Sequence, residues 1–230
     1  MWRIIEDIFI KFPILPLYAL TWVVGVINFK KYFDTAIRHL PLFIGYTFLN
    51  ELLGFLVKNY SEFTFYTDPR YDWHNIIIYN IYGVLTLLYF AWVYLKLIKR
   101  RRLQLVIKGG VILYFISYFI CLIYLDPAHD VFLAPAMIEG FLIATAAFFH
   151  IWELKQKRGS TPAYYNLMFW IDRGLIAFYL PFPMLYFLMC NYYRNVFQPY
   201  GLGTVFELSI AAMYIIFIIG FIRASRPAFR

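Results

Sequence analysis

The residues equipped for chemistry are few, and each interrupts an apolar run. Glu51, Glu139, Asp172, Arg173 and Glu207 stand among aliphatic and aromatic side chains, and Asn50 and Asn80 add uncharged polarity. An ionisable group within a membrane span is costly and is by default a functional candidate. Counting 1.5 Å per helical residue places Asn50, Glu51, Asn80, Glu139 and Glu207 in the outer half of their spans. Asp172 and Arg173 fall in the inner half. Two readings of the outer set stand side by side. The carboxylates line one outward-facing polar cavity for a ligand or ion, with the two asparagines as donors, or each is tied to its own helix neighbour or loop. Asp172 and Arg173 are adjacent and point about 100° apart on a helix. Arg173 is placed to snorkel toward the cytoplasmic face. His150 is a neighbour at similar depth, and a structural ion pair is the expected role of this inner group.

Other chemistry is harder to draw. His74, Asp72, Asp126, His129 and Asp130 share the outer loops, but no pair has a recognised zinc spacing, so no metal is assigned. HExxH, GxSxG and glycine-rich phosphate motifs are absent. No catalytic residue and no cofactor is assigned. The last apolar run contains no lysine, which excludes a retinal Schiff base there.

The elements that position these residues follow from composition. The 230 residues are 63% hydrophobic and 15% charged, against about 45–50% and about 25% in a typical soluble domain. Such a chain has too little polar surface to cover itself in water. Apolar runs divide it into spans at roughly 12–28, 39–57, 76–98, 105–125, 132–152, 166–190 and 204–222. At about 20 residues per span, these use up nearly the whole chain. Each must be helical, because a lone strand in lipid leaves its backbone unpaired. A barrel strand would alternate over about ten residues, whereas these runs are continuous. The expected fold is an all-α, polytopic bundle of seven transmembrane helices forming one domain over 1–230. No cleavable signal peptide is seen in Met1–Phe12, which Arg3, Glu6, Asp7 and Lys11 interrupt.

Orientation follows from the basic residues. Fifteen of them fall in the 28–38, 96–108 and 153–165 loops and the C-terminal tail. Five (Arg3, Lys11, Lys58, Arg70 and Arg194) fall on the other side. The positive-inside rule then puts the N-terminus outside and the C-terminus in the cytoplasm of a bacterial inner membrane. The net charge of +8 is read as anionic-headgroup contact rather than nucleic-acid binding. Tyr71, Trp73, Trp92, Tyr94, Tyr192 and Tyr193 are read as interfacial anchors.

Three further features bear on packing. Ala136, Gly140 and Ala144 form a stripe at four-residue spacing, suited to close helix contact, and Glu139 flanks it. Pro181 and Pro183 should kink the sixth span. Cys121 and Cys190 lie near the outer ends of their spans, where either a disulfide or two buried free thiols is conceivable.

Several runs carry a resemblance: Asn50–Glu51–Leu52, Tyr79–Asn80–Ile81–Tyr82, and Phe169–Trp170–Ile171 with Gly174 and Tyr179. Over most of its length the chain resembles a group of seven-transmembrane-helix membrane proteins of Bacteroidetes-type bacteria. Those proteins often carry a Glu shortly after the Tyr-Asn pair, where this chain reads Gly83–Val84–Leu85–Thr86–Leu87–Leu88. The resemblance implies the seven-helix bundle and supplies no activity, substrate or cofactor. The functional expectation is a receptor-like or regulatory module acting through a membrane or cytoplasmic protein partner. A small transporter using the outer carboxylates and an intramembrane lipid-modifying enzyme are the alternatives. The bilayer is the expected partner, with homo-oligomerisation open.

Overall fold

The computed structural model describes residues 2–67, 71, 74–156 and 165–225. Within them the chain forms helices α1 (Trp2–Lys11), α2 (Leu15–Ile27), α3 (Leu40–Asn59), α4 (Ile76–Leu97) and α5 (Arg101–Tyr124). These are followed by α6 (Leu133–Gln156), α7 (Leu167–Tyr179), α8 (Phe182–Asn191) and α9 (Leu202–Arg223). Six segments are long and apolar enough to cross a membrane: α3, α4, α5, α6, α7 with α8, and α9. The protein is thus an all-α, multi-pass membrane protein.

The first expected span is shorter than its apolar run. Pro16 lies in the first turn of α2, where its missing N–H costs nothing, so the helix starts at Leu15. Its 13 residues rise about 20 Å, less than the roughly 30 Å hydrocarbon core. α1 continues it on the other side of a turn closed by Leu15 N–H to Phe12 O. Phe12 stacks on Phe55 near the end of α3, and the Tyr60 hydroxyl donates to Asp7. At the far end of α2, Lys31 donates to the carbonyls of Phe221 and Ile222 in the last turn of α9. A cation at a helix C-terminus meets orphan acceptors and the negative end of the dipole. The 28–39 connection is not a free loop. Tyr32 and Ile37 are buried, and the Tyr32 hydroxyl donates to Gly25 O.

The sixth span divides into two helices at its prolines, although Leu180 and Pro181 keep helical dihedrals. α7 ends at Tyr179, and α8 begins at Phe182 beyond Pro181. α6 packs against the break. A Cβ on Gly140 would stand 2.7 Å from Pro183 Cγ and 2.9 Å from Phe182 Cδ1, so the middle residue of the stripe clears the way for the proline. α7 and α9 approach through Gly174 and Gly220, each of whose missing Cβ atoms would overlap a ring or side-chain stem of the partner helix.

The basic 96–108 segment is mostly helix rather than loop. α5 begins at Arg101, and Lys108 lies two turns inside it. The Glu153 carboxylate accepts the amides of Lys99 (3.1 Å) and Arg100 (3.0 Å), filling the orphan donors ahead of α5. Cationic side chains here lie over rings: Lys96 on Trp92, Arg100 on Trp152 and Arg173 on Phe169. Cys121 and Cys190 are both free, and Cys190 is exposed rather than buried.

Candidate functional site

Helices α2 to α9 all contribute side chains to a cavity of about 600 Å³ whose lining includes Lys58, Asn75 and Phe132 at one end of the bundle. That lies within the range of small-molecule sites, about 300–1,000 Å³. On α3 the lining positions Thr47, Glu51, Gly54, Phe55 and Lys58 recur at three- and four-residue spacing, one helical face. From the end of α3 at Asn59 to Thr47 is about 18 Å at 1.5 Å per residue, so the cavity reaches the middle of the bundle. Its floor is Tyr82, Tyr179, Met213 and Tyr214. The same four residues roof a void of about 10 Å³ below.

Four of the five outer candidates line this cavity: Glu51, Asn80, Glu139 and Glu207. Their situations differ. Glu51 is half-buried and accepts from the Tyr79 hydroxyl at 3.2 Å. Glu207 is exposed. Glu139 is 6% exposed and has no hydrogen-bond partner among the described residues. Its Oε2 occupies the space that a side chain at 83 would take: a Cβ there would stand 2.9 Å away. Gly83 therefore lets the carboxyl reach the α4 backbone. Tyr82 sits within electrostatic range of both Glu51 and Glu139.

Asn80 plays a different part from a free donor. Its Nδ2 donates to the carbonyls of Pro127 and Asp130, and its Oδ1 accepts from Phe132 N–H. The amide is committed to holding the α5–α6 connection over the cavity wall. Asn50 is buried just off the lining face, and its Nδ2 has no partner among the described residues. Eight tyrosines and six phenylalanines complete the walls. The two lysines, Lys11 and Lys58, are at the mouth, where Lys11 pairs with Asp7 at 3.3 Å.

The inner group assembles without Arg173. Asp172 is fully buried, with Oδ2 2.6 Å from His150 Nδ1 and Oδ1 accepting from the Tyr94 hydroxyl at 2.9 Å. Arg173 is exposed and lies over the Phe169 ring, because neighbouring helical residues diverge by about 100°. Tyr94 is therefore not an interfacial anchor: it is completely buried. The signal that could have revealed it is depth, since a hydroxyl on α4 level with Asp172 and His150 has an acceptor to find.

In the α5–α6 connection, His129 Nδ1 lies 2.6 Å from Asp126 Oδ2, and the His129 ring packs on Tyr71 and Tyr66. The His129 hydrogen bond, followed by the Ala128 amide, holds the Asp126 carboxyl below the usual carboxylate range. Asp72 and Trp73 lie outside the described residues. No group of three His, Cys, Asp or Glu able to hold a metal occurs among the described residues. No protein-family model, curated protein or solved structure matches the chain.

Proposed function

We propose that this protein is a receptor-like module of the bacterial inner membrane that holds a small ligand in its outward-opening cavity and reports occupancy to a partner protein. The observation that carries this is the cavity itself: about 600 Å³, closed below by a tyrosine floor, and walled by aromatic rings with a buried, unpartnered Glu139. A native apolar pocket with a few convergent polar groups is the ordinary form of a ligand site. The reading includes seven crossings with the N-terminus outside. Two observations support the count: α1 and Phe12 stand at the cavity mouth, and Lys31, just past α2, caps the other end of α9. The fifteen-to-five basic split supports the direction. A reporter active only in the periplasm, fused after Arg230, should stay silent, and strong activity would reverse the orientation.

The ligand test is mass spectrometry of small molecules released from the purified protein. An Ala136→Trp variant, which fills the cavity from α6, should release none of the species that the unaltered protein releases. Identical release from a folded variant would sink the reading.

Transport is the second reading, favoured by one observation. The α7–α8 interruption lies in the cavity wall, with Tyr179 and Phe182 on either side of it, and a further small void lies beneath the floor. Uptake of the released species into proteoliposomes would select transport over sensing.

A further inference from the structure

The chemical class of the ligand can be drawn from what the cavity leaves unsatisfied. Glu139 is 6% exposed, lines the cavity and has no hydrogen-bond donor among the described residues. A carboxyl group in that position lacks either a donor or a cation. Two independent features decide between them. The deep lining contains no Lys or Arg among the described residues, both lysines being at the mouth, so the carboxylates Glu51 and Glu139 have no resident counter-charge there. Tyrosine side chains lie near Glu139: Tyr82 and Tyr114 are within its electrostatic reach, and the Tyr114 hydroxyl and Glu139 Oε2 both border the space that a side chain at 83 would take. Ring faces attract cations and repel anions. The rest of the wall is apolar and aromatic, with Phe132, Phe178, Phe182 and Phe206 offering surface to a hydrophobic body.

We infer that the cavity takes an organic ammonium ion with an apolar or aromatic body, its N–H groups donating to Glu139 and its charge flanked by Tyr82 and Tyr114. This rests on the reading of the cavity as a ligand site. It accounts for two otherwise separate facts. Gly83 opens the space in which Glu139 lies, so a larger residue there would displace the acceptor. Tyr79 occupies Glu51 with a hydrogen bond, leaving Glu139 as the unfilled acceptor of the pair. A divalent cation is commonly held by several carboxylates, and no group of three His, Cys, Asp or Glu able to hold a metal occurs among the described residues.

The test compares two probes of nearly equal shape on the unaltered protein in neutral-lipid nanodiscs. They are dibenzylammonium and dibenzyl ether, which replaces the charged nitrogen with oxygen. Calorimetric titration should show the ammonium binding at least about tenfold more tightly, which is 1.4 kcal/mol. Glu139→Gln should remove most of that difference. The probe comparison does not depend on the variant's folding. If the ether binds as tightly as the ammonium, the cation inference fails and the ligand-site reading survives. If neither binds although the protein still releases a small molecule, the inference again fails alone. If neither binds and nothing is released, both fail.

Discussion

Replacing Asp172 tests the account of the buried Tyr94–Asp172–His150 group. Its carboxyl is fully buried, and its two oxygens serve Tyr94 at 2.9 Å and His150 at 2.6 Å. Asp172→Ala strands a hydroxyl and an imidazole N–H in a site that water does not reach. Each buried group left without a partner costs about 1–3 kcal/mol. Interhelical hydrogen bonds in membranes average nearer 0.6 kcal/mol, because the unfolded chain in lipid also finds partners. The expected loss is therefore about 2–4 kcal/mol. For a chain of this size 1 kcal/mol shifts Tm by about 2–4 °C, so the melting point in detergent should fall by roughly 4–16 °C. Tyr94→Phe removes one donor and leaves Asp172 bonded to His150, so it should cost about 1 kcal/mol. Asp172→Asn keeps an acceptor for Tyr94 and can donate to the imidazole in its other tautomer, and should cost less than the alanine. The combination Asp172→Leu, Tyr94→Phe and His150→Phe removes all three polar groups at once. It should recover much of the loss, since an apolar replacement strands nothing. An Asp172→Ala loss below 1 kcal/mol, or a Tyr94→Phe loss equal to it, would refute this reasoning.

Three other outcomes are expected. Gly140→Ala drives a methyl to 2.7 Å from the rigid Pro183 ring and should cost about 1–3 kcal/mol; Gly109→Ala, with nothing within 4 Å, should be neutral or stabilising by up to about 1 kcal/mol, both read from melting curves. Glu153→Ala leaves the amides of Lys99 and Arg100 without their acceptor and should cost about 0.5–2 kcal/mol, as the loss of a helix cap does, with Glu153→Gln costing less. The Asp126 carboxyl, lowered by His129 and the Ala128 amide, stabilises the α5–α6 connection above the ordinary Asp pKa, and this contribution is lost as pH falls through its depressed value; NMR titration should show Asp126 titrating below the usual range and His129→Ala raising it.

The spans were readable because lipid leaves few alternatives: long apolar runs become helices, and basic residues mark their ends. The expected 39–57, 76–98 and 204–222 runs correspond to α3, α4 and α9 within two residues at each end. What was hidden depended on contacts between distant parts of the chain. Lys31 looks like a headgroup contact, yet it caps a helix 190 residues later. Asn80 looks like a free intramembrane amide until the carbonyls of Pro127 and Asp130 meet it. Glu153, at the end of its span, carries no mark of burial in the sequence. Its partners are backbone amides, which every residue other than proline has. Glu51, Glu139 and Glu207 could be given a common depth by counting, but not a common face, because rotation of each helix about its axis is fixed by packing.

The two polar sites lie in sequence along one helix, and that arrangement bears on how occupancy could be felt. Asp172 and Tyr179 are seven residues apart on α7, so both point along nearly the same face, about 10 Å apart. Asp172 is held by α4 and α6 through Tyr94 and His150, and α7 is pressed to α9 at Gly174 and Gly220. The lower part of this crossing is thus tied on several sides. Just past Tyr179 the Leu180 amide still bonds to Ile176 O, but Pro181 has no N–H to continue the ladder, and α8 begins at Phe182. Phe182 and Tyr186 of α8 line the cavity. A ligand that fills the space between these rings and Glu139 therefore acts on the segment least constrained by its own helix, directly above one fixed on three sides.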